Sequence, residues 1–256
     1  MEVTPWAGLD SFFPRTLKPA IRAVIEDDMD ILLVGVGREG LGKSTLMTKI
    51  LAACAYELDE QLGTPGKVID RFKPEYVTIK ADKHVEISNK APQFTCHLYD
   101  EAGLGSNARR SGSSSNVGLN KFLMICRHLN QIRAVCIPDL FQLDVNVRFR
   151  RATAILSVYG YTKMSDSGWK IGRGLIDYYA GDDIRRIEQN PLTRAAVWPH
   201  VEYEGLRFEG YDDNPFWTQY VQAARVDKRL EGVEIVKEMR GIKSRKSKKV
   251  DGDADA

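Results

Sequence analysis

The chain of 256 residues is 43% apolar and 28% charged, ordinary values for a water-soluble α/β domain with additions. Its 37 basic and 35 acidic side chains leave a net charge of +2, so there is no global pull towards nucleic acid and any basic surface has to be local. No apolar run is long enough to span a membrane and no signal-peptide core opens the sequence. Cys54, Cys96, Cys126 and Cys136 lack metal-type spacing and read as reduced core thiols. These features imply a cytoplasmic protein, or one carried inside something made there.

Residues 1–29 read as an N-terminal arm. Trp6, Leu9, Phe12 and Phe13 are apolar, Pro14 and Pro19 interrupt, and Ala20–Ile25 suits a short helix that packs over the sheet or docks on a neighbouring subunit. Ile31–Val36 is a short apolar run suited to a buried parallel strand. It leads into Gly37, Arg38, Glu39, Gly40, Leu41, Gly42, Lys43, Ser44 and Thr45, which fit the phosphate-binding Walker A pattern G-x-x-x-x-G-K-[ST]. The pattern has a mechanical basis. Glycines let the backbone turn its N–H groups onto a triphosphate, Lys43 reaches the β- and γ-phosphates, and Ser44 can ligate Mg²⁺. Leu46, Met47, Ile50, Leu51, Cys54 and Leu58 then recur on one face of a helix whose positive end meets the anion.

Beyond the Gly63–Gly66 turn, Tyr76–Lys80 and His84–Ile87 alternate like a strand pair at a sheet edge, with His84 facing solvent. Phe94–Tyr99 is a further strand, and it ends in Asp100-Glu101, the Walker B form. Asp100 would hold the Mg²⁺ shell beside Ser44, and Glu101 would orient and deprotonate the attacking water. Taken alone, the pair could be an acidic turn; its place after a Walker A stretch gives it the catalytic reading. Residues 103–116 are rich in Gly and Ser, with Arg109 and Arg110 in the middle. That composition suits a mobile surface loop, or a cationic loop that touches a phosphate backbone.

Leu119, Phe122, Leu123 and Cys126 mark another helix face, ended by Arg127 and His128. Ala134–Ile137 and Ala154–Tyr159 are the next strands, with Arg148, Arg150 and Arg151 between them. Strands alternating with helices argue for an α/β P-loop NTPase fold: a mainly parallel central sheet covered by helices on both faces, followed by a C-terminal hairpin and helix. The hairpin is expected within Tyr161–Tyr179 around Ser165-Asp166-Ser167-Gly168, and the helix from about Phe216. The organisation expected is an arm over 1–29, a P-loop core over 30–160, an extension packed on it over 161–240 and a charged tail over 241–256.

With both Walker stretches placed, the chain resembles the FtsK/HerA superfamily of DNA-pumping ATPases, which includes viral genome-packaging ATPases, and the phage proteins similar to the zonula occludens toxin that are close to it. The resemblance rests on Gly37–Ser44, on Leu98-Tyr99-Asp100-Glu101-Ala102, on the helix ending Arg127-His128, and on Leu143-Asp144 followed by Val147-Arg148. It covers roughly residues 30–160. It implies ATP and Mg²⁺ as cofactors, DNA as partner, a homo-oligomeric ring that is usually hexameric, and a cytoplasmic or virion-associated place. In such a ring a neighbour's arginine stabilises the transition state, with Arg148, Arg127 and Arg150 as candidates. The family's polar sensor after the next strand is replaced here by Pro138, so either Asn130, Gln131 or Gln142 substitutes or hydrolysis is coupled differently. Two other tasks fit a P-loop: an ATP-dependent assembly switch, and a small-molecule kinase, which the Asp-Glu pair disfavours.

Overall fold

The computed structural model describes residues 6–100, 114–165, 168–209, 219–220 and 222. Helix α1 (Phe12–Glu26) precedes β1 (Ile31–Val36), α2 (Lys43–Gln61) and the short α3 (Val68–Arg71). Then come β2 (Val77–Thr78), α4 (Ala81–Lys90), β3 (Cys96–Tyr99), α5 (Ser114–Ile125) and β4 (Ile132–Ile137). The last part holds β5 (Ala154–Ser165), β6 (Gly168–Ala180), the short α6 (Asp182–Arg185), and the two-residue strands β7 (Glu188–Gln189), β8 (Ala196–Val197) and β9 (Leu206–Arg207). One seven-stranded sheet runs β2-β3-β4-β1-β5-β6-β9. Its first five strands are parallel, and β6 and β9 join antiparallel.

The sheet is buried on both faces, which explains why β1 reads as an unbroken apolar run. Ile31 and Leu33 join α1 and α2 in one core, with Ile132, Ala134 and Cys136 of β4. Leu32, Val34 and Val36 join Leu119, Phe122 and Leu123 of α5 in the other. Each fully buried aliphatic side chain contributes about 1.5–3 kcal/mol relative to exposure. Cys54, Cys96, Cys126 and Cys136 are buried and form no disulfide with one another. Among the described residues no helix is long and apolar enough to cross a membrane.

Three sequence expectations need correction. The prolines do not stop α1: Pro14 lies in its first turn, where an N–H has no helical acceptor, and Pro19 is absorbed in the interior while Leu17, Ile21 and Val24 bury one face. His84–Ile87 is helical, part of α4, and only Val77–Thr78 of the preceding segment is strand. His84 is therefore buried in the α4–sheet contact rather than facing solvent. Finally, the hairpin is longer than expected, because β5 runs unbroken from Ala154 through Gly160 to Ser165. The change of sequence character near residue 160 thus falls inside a strand. Of the expected C-terminal helix, Gln219, Tyr220 and Gln222 are described and helical; Tyr220 stacks on Phe72 at 4.7 Å and donates its hydroxyl to the Phe72 carbonyl. The arm and the extension meet at one edge, where Leu9 bridges Phe208 and the Glu209 amide donates to the Gly8 carbonyl at 2.8 Å.

Candidate active site

In a parallel sheet every strand delivers its carboxyl end to the same edge, and this edge gathers the two Walker stretches. β1 stops at Val36 and the chain enters the loop through Gly37, at φ +147°. A Cβ there would lie 2.1 Å from the Val158 carbonyl oxygen, so the loop can leave the sheet this close to β5 only with glycine. Gly40 (φ +78°) and Gly42 (φ +97°) make the remaining left-handed turns, and Gly42 passes directly into α2. Arg38, Glu39 and Gly40 are exposed, while Leu41 through Thr45 are half-buried.

Lys43 folds back over this loop. Its Nζ donates to the Gly37 carbonyl at 2.6 Å and to the Arg38 carbonyl at 3.0 Å. Both acceptors are neutral, so a phosphate oxygen would be the stronger partner for the same ammonium. Ser44 donates its hydroxyl to Asp100 Oδ1 at 2.6 Å, across 56 residues of chain. Asp100 sits one residue beyond β3, held by its own N–H on the Thr78 carbonyl of β2 at 2.8 Å. β4 separates β1 from β3, so this contact spans the width of one strand. A serine hydroxyl beside a carboxylate is a hard-oxygen donor set, the kind Mg²⁺ takes when phosphates and water complete its shell. Glu101, Arg109 and Arg110 lie outside the described residues.

A cavity of about 710 Å³ opens beside the loop. Gly37, Arg38 and Glu39 form one wall, Pro138 and Asp139 another, and Tyr159, Tyr161 and Trp198 a third. Pro138 indeed follows the end of β4 at this edge. Two of its three suggested substitutes do not. Asn130 and Gln131 precede β4 at the opposite edge, where the Asn130 amide donates to Asp28 Oδ1 at 2.8 Å and the Gln131 amide to the Ser88 carbonyl at 3.0 Å. Those amides are committed to structure. Gln142 follows β4 on the cavity side, and its Oε1 is buried without a hydrogen bond among the described residues.

The candidate arginines are distributed differently. Arg127 lies at the amino edge and donates to the Asp28 carbonyl at 3.2 Å, about a strand's length (roughly 20 Å) from its own loop. Arg148 is 9% exposed, in the π-helical turn Val147–Arg151. Its guanidinium lies 4.4 Å from the Phe141 ring centre and 5.1 Å from that of Phe149, with Nε and Nη1 lacking a hydrogen-bond partner among the described residues. Burial lowers its pKa, against the charges of Asp144 and Asp139 that raise it. Arg150, in the same turn, is exposed. Sequence reasoning missed Val158 and Phe208, whose carbonyl and ring close on Gly37 and Gly42. Both act through long-range proximity, a backbone carbonyl in one case and a ring in the other, that no local pattern announces.

No family model and no curated protein matches the chain. Among solved structures it is similar to the genome packaging NTPase B204 from Sulfolobus turreted icosahedral virus 2, in complex with ATP-gammaS, at 12% identity and a TM-score of 0.36, over 60% of this chain and 93% of that one. It is also similar to the N-terminal domain of zonular occludens toxin from Neisseria meningitidis, at 19% identity and a TM-score of 0.37, over 62% of this chain and 88% of that one.

Proposed function

We propose that this chain is a Mg²⁺-dependent ATPase that moves DNA, in the packaging or transfer of a viral or mobile-element genome. The observation that carries the reading is the 2.6 Å contact of Ser44 with Asp100 beneath a glycine loop already bent for phosphate. In this reading the loop amides and Lys43 would bind the triphosphate, and Ser44 and Asp100 would hold the metal, which would neutralise phosphate charge. Glu101, the residue after Asp100, takes the proton of the attacking water. Arg109 and Arg110 follow it closely in sequence and contact DNA phosphate.

The chain works as a ring, in which a neighbour's arginine reaches the γ-phosphate. Arg127, on the far side of the sheet from its own loop, could serve only in trans. Arg148 would have to swing out from between Phe141 and Phe149, whereas Arg150 is already exposed.

ATP turnover with and without duplex DNA tests the reading, together with Glu101→Gln. DNA should accelerate hydrolysis, and the glutamine variant should retain bound ATP without splitting it, because an amide keeps the shape but cannot accept the proton. Hydrolysis indifferent to DNA would favour an ATP-driven assembly switch. Wild-type turnover in Glu101→Gln would return that residue to an acidic turn.

A further inference from the structure

The Walker A loop makes left-handed turns at Gly40 and Gly42, and the two turns have different surroundings. A Cβ at Gly40 would meet open space, whereas a Cβ at Gly42 would stand 3.1 Å from Cζ and 3.3 Å from Cε2 of Phe208. The Phe208 ring therefore closes on the turn that opens α2, directly before Lys43 and Ser44. Phe208 is 8% exposed and belongs to the core shared by α1, α2 and β1, against which Trp6, Leu9 and Leu41 also pack. Two neighbouring loop residues, Leu41 and Gly42, thus rest on one apolar support.

In sheet order β5 and β6 separate β9 from β1, so the ring reaches the loop from a distant strand. The Phe208 backbone is held on both sides. On one side its N–H donates to the Gly174 carbonyl of β6 at 3.0 Å, and a Cβ at Gly174 would stand 2.5 Å from the Phe208 carbonyl oxygen. On the other side is the arm. Leu9 bridges Phe208, the Asp10 N–H donates to the Arg207 carbonyl at 3.0 Å, and the Glu209 N–H donates to the Gly8 carbonyl at 2.8 Å. A pairing this short, flanked by the exposed Arg207 and Glu209, is of the kind that opens locally without global unfolding.

We infer that Phe208 is a positioning residue for the Walker A loop, and that the pairing of the arm with residues 207–209 sets nucleotide affinity through it. The inference rests on the reading of Gly37–Thr45 as the ATP site and adds a means of control to it. The loop amides converge on phosphate only while the loop stays bent. A ring packed on Gly42 holds that bend independently of the ligand, so less ordering remains to be done on binding. When the arm unpairs, the ring loses one of its two supports, the loop gains freedom and affinity falls. Linkage makes the effect mutual: ATP on the loop strengthens the arm's pairing by the same factor. A residue that only filled the core would lower stability when truncated, but it would not tie the nucleotide to the arm.

The first test needs no substitution. Amide hydrogen exchange in segments 6–10 and 207–209 of the full chain is followed with and without Mg²⁺ and ATP-gammaS. Nucleotide should slow exchange in both segments, and unchanged exchange overturns the inference. In Phe208→Ala at saturating ATP-gammaS that protection should be lost; its persistence also overturns the inference. Equilibrium binding of ATP-gammaS, well below each melting temperature, supplies the second test. Phe208→Ala should weaken affinity roughly tenfold, within the ordinary range of coupling between sites. Phe208→Met, flexible and long enough to reach Gly42, should stay close to wild type. Gly8→Val, whose side chain would run into Lys49 and Glu209, unpairs the arm without touching the loop and should also weaken binding. Both variants act through one ring, so their losses should not add in Phe208→Ala/Gly8→Val. Wild-type affinity in folded Phe208→Ala, or losses that add in full, overturns the coupling and leaves the ATP site standing. A wild-type chain that binds no ATP-gammaS overturns the site and the coupling together.

Discussion

At the carboxyl edge of the sheet, Lys43 rests on two backbone carbonyls and Asp100 accepts one hydroxyl. At the amino edge, Asp30 is clasped by Arg151 at 2.6 Å and lies 3.6 Å from Arg133. Arg133 also donates to Gln131, whose own amide is held by the Ser88 carbonyl. Both edges are polar and both carry charge, yet they are built for opposite ends. Lys43 is half-buried on a loop of left-handed glycines, its acceptors are neutral, and an incoming phosphate can take their place. Asp30 and Arg133 have side chains only 5% and 1% exposed and are held by charged partners; Asp100 is as buried, and its contact with the half-buried Ser44 hydroxyl is what joins it to the loop. Charge alone does not mark chemistry here. Charge whose present partners can be exchanged does.

The comparison breaks first at Lys43. Lys43→Ala should lower ATP hydrolysis by about 10²–10³-fold or more, since it removes the cation facing the phosphates, and it should leave the melting temperature nearly unchanged. Steady-state ATPase and a thermal melt check both halves. A variant that unfolds instead would make the carboxyl edge structural as well. Asp30→Ala should do the reverse. It leaves Arg133 buried without its counter-charge, which costs about 3–5 kcal/mol of stability, while the folded fraction binds ATP as before. Urea unfolding and nucleotide titration separate the two, and lost binding at full stability would move function to the amino edge.

How much of this was legible in the sequence follows from how local each signal is. β1, its loop and α2 are contiguous, so Ile31 to Gln61 could be read directly. Placing Asp100 needed only the end of one strand, and in the structure Ser44 donates its hydroxyl to it. α4 was misread because the positions it buries are Ala81, His84 and Ser88, a stripe at helical spacing that carries no apolar period. The sequence changes character near residue 160, yet β5 runs on through Gly160, opposite a register shift whose extra residue lies in β6 at Arg173 and Gly174. Asn130 and Gln131 precede β4 in the chain, so a parallel sheet sets them at the edge away from the loop, and only Gln142 follows the strand. The Asp30–Arg133–Arg151 cluster was not legible at all, being assembled from the residue before β1, from β4 and from the turn before β5.

The smallest expected effect sharpens the same contrast from within the core. His84 on α4 and His97 on β3 are buried and take hydrogen bonds with Thr78 Oγ1 at 3.0 Å and Thr95 Oγ1 at 2.9 Å. Burial holds both pKa values down, with the nearby Arg133 charge adding to the effect, and His84 falls to about 3. The sign follows from which state binds protons. Below about pH 6.5 the unfolded chain protonates these rings and the folded chain does not, so stability falls as pH falls, and for His84 it keeps falling until about pH 3. Between pH 7.5 and 5.5 the two together should remove about 2–3 kcal/mol, and His84→Gln should remove about half of that dependence. Urea unfolding at the two pH values measures it, and equal stability at both would mean the rings are hydrated in solution. The Thr78 side chain that His84 engages belongs to the residue whose carbonyl fixes the Asp100 amide. Acid-driven unfolding would therefore also release the strand end that carries Asp100, the proposed metal ligand. Acid should erode ATPase activity in step with stability, although neither histidine touches the nucleotide loop.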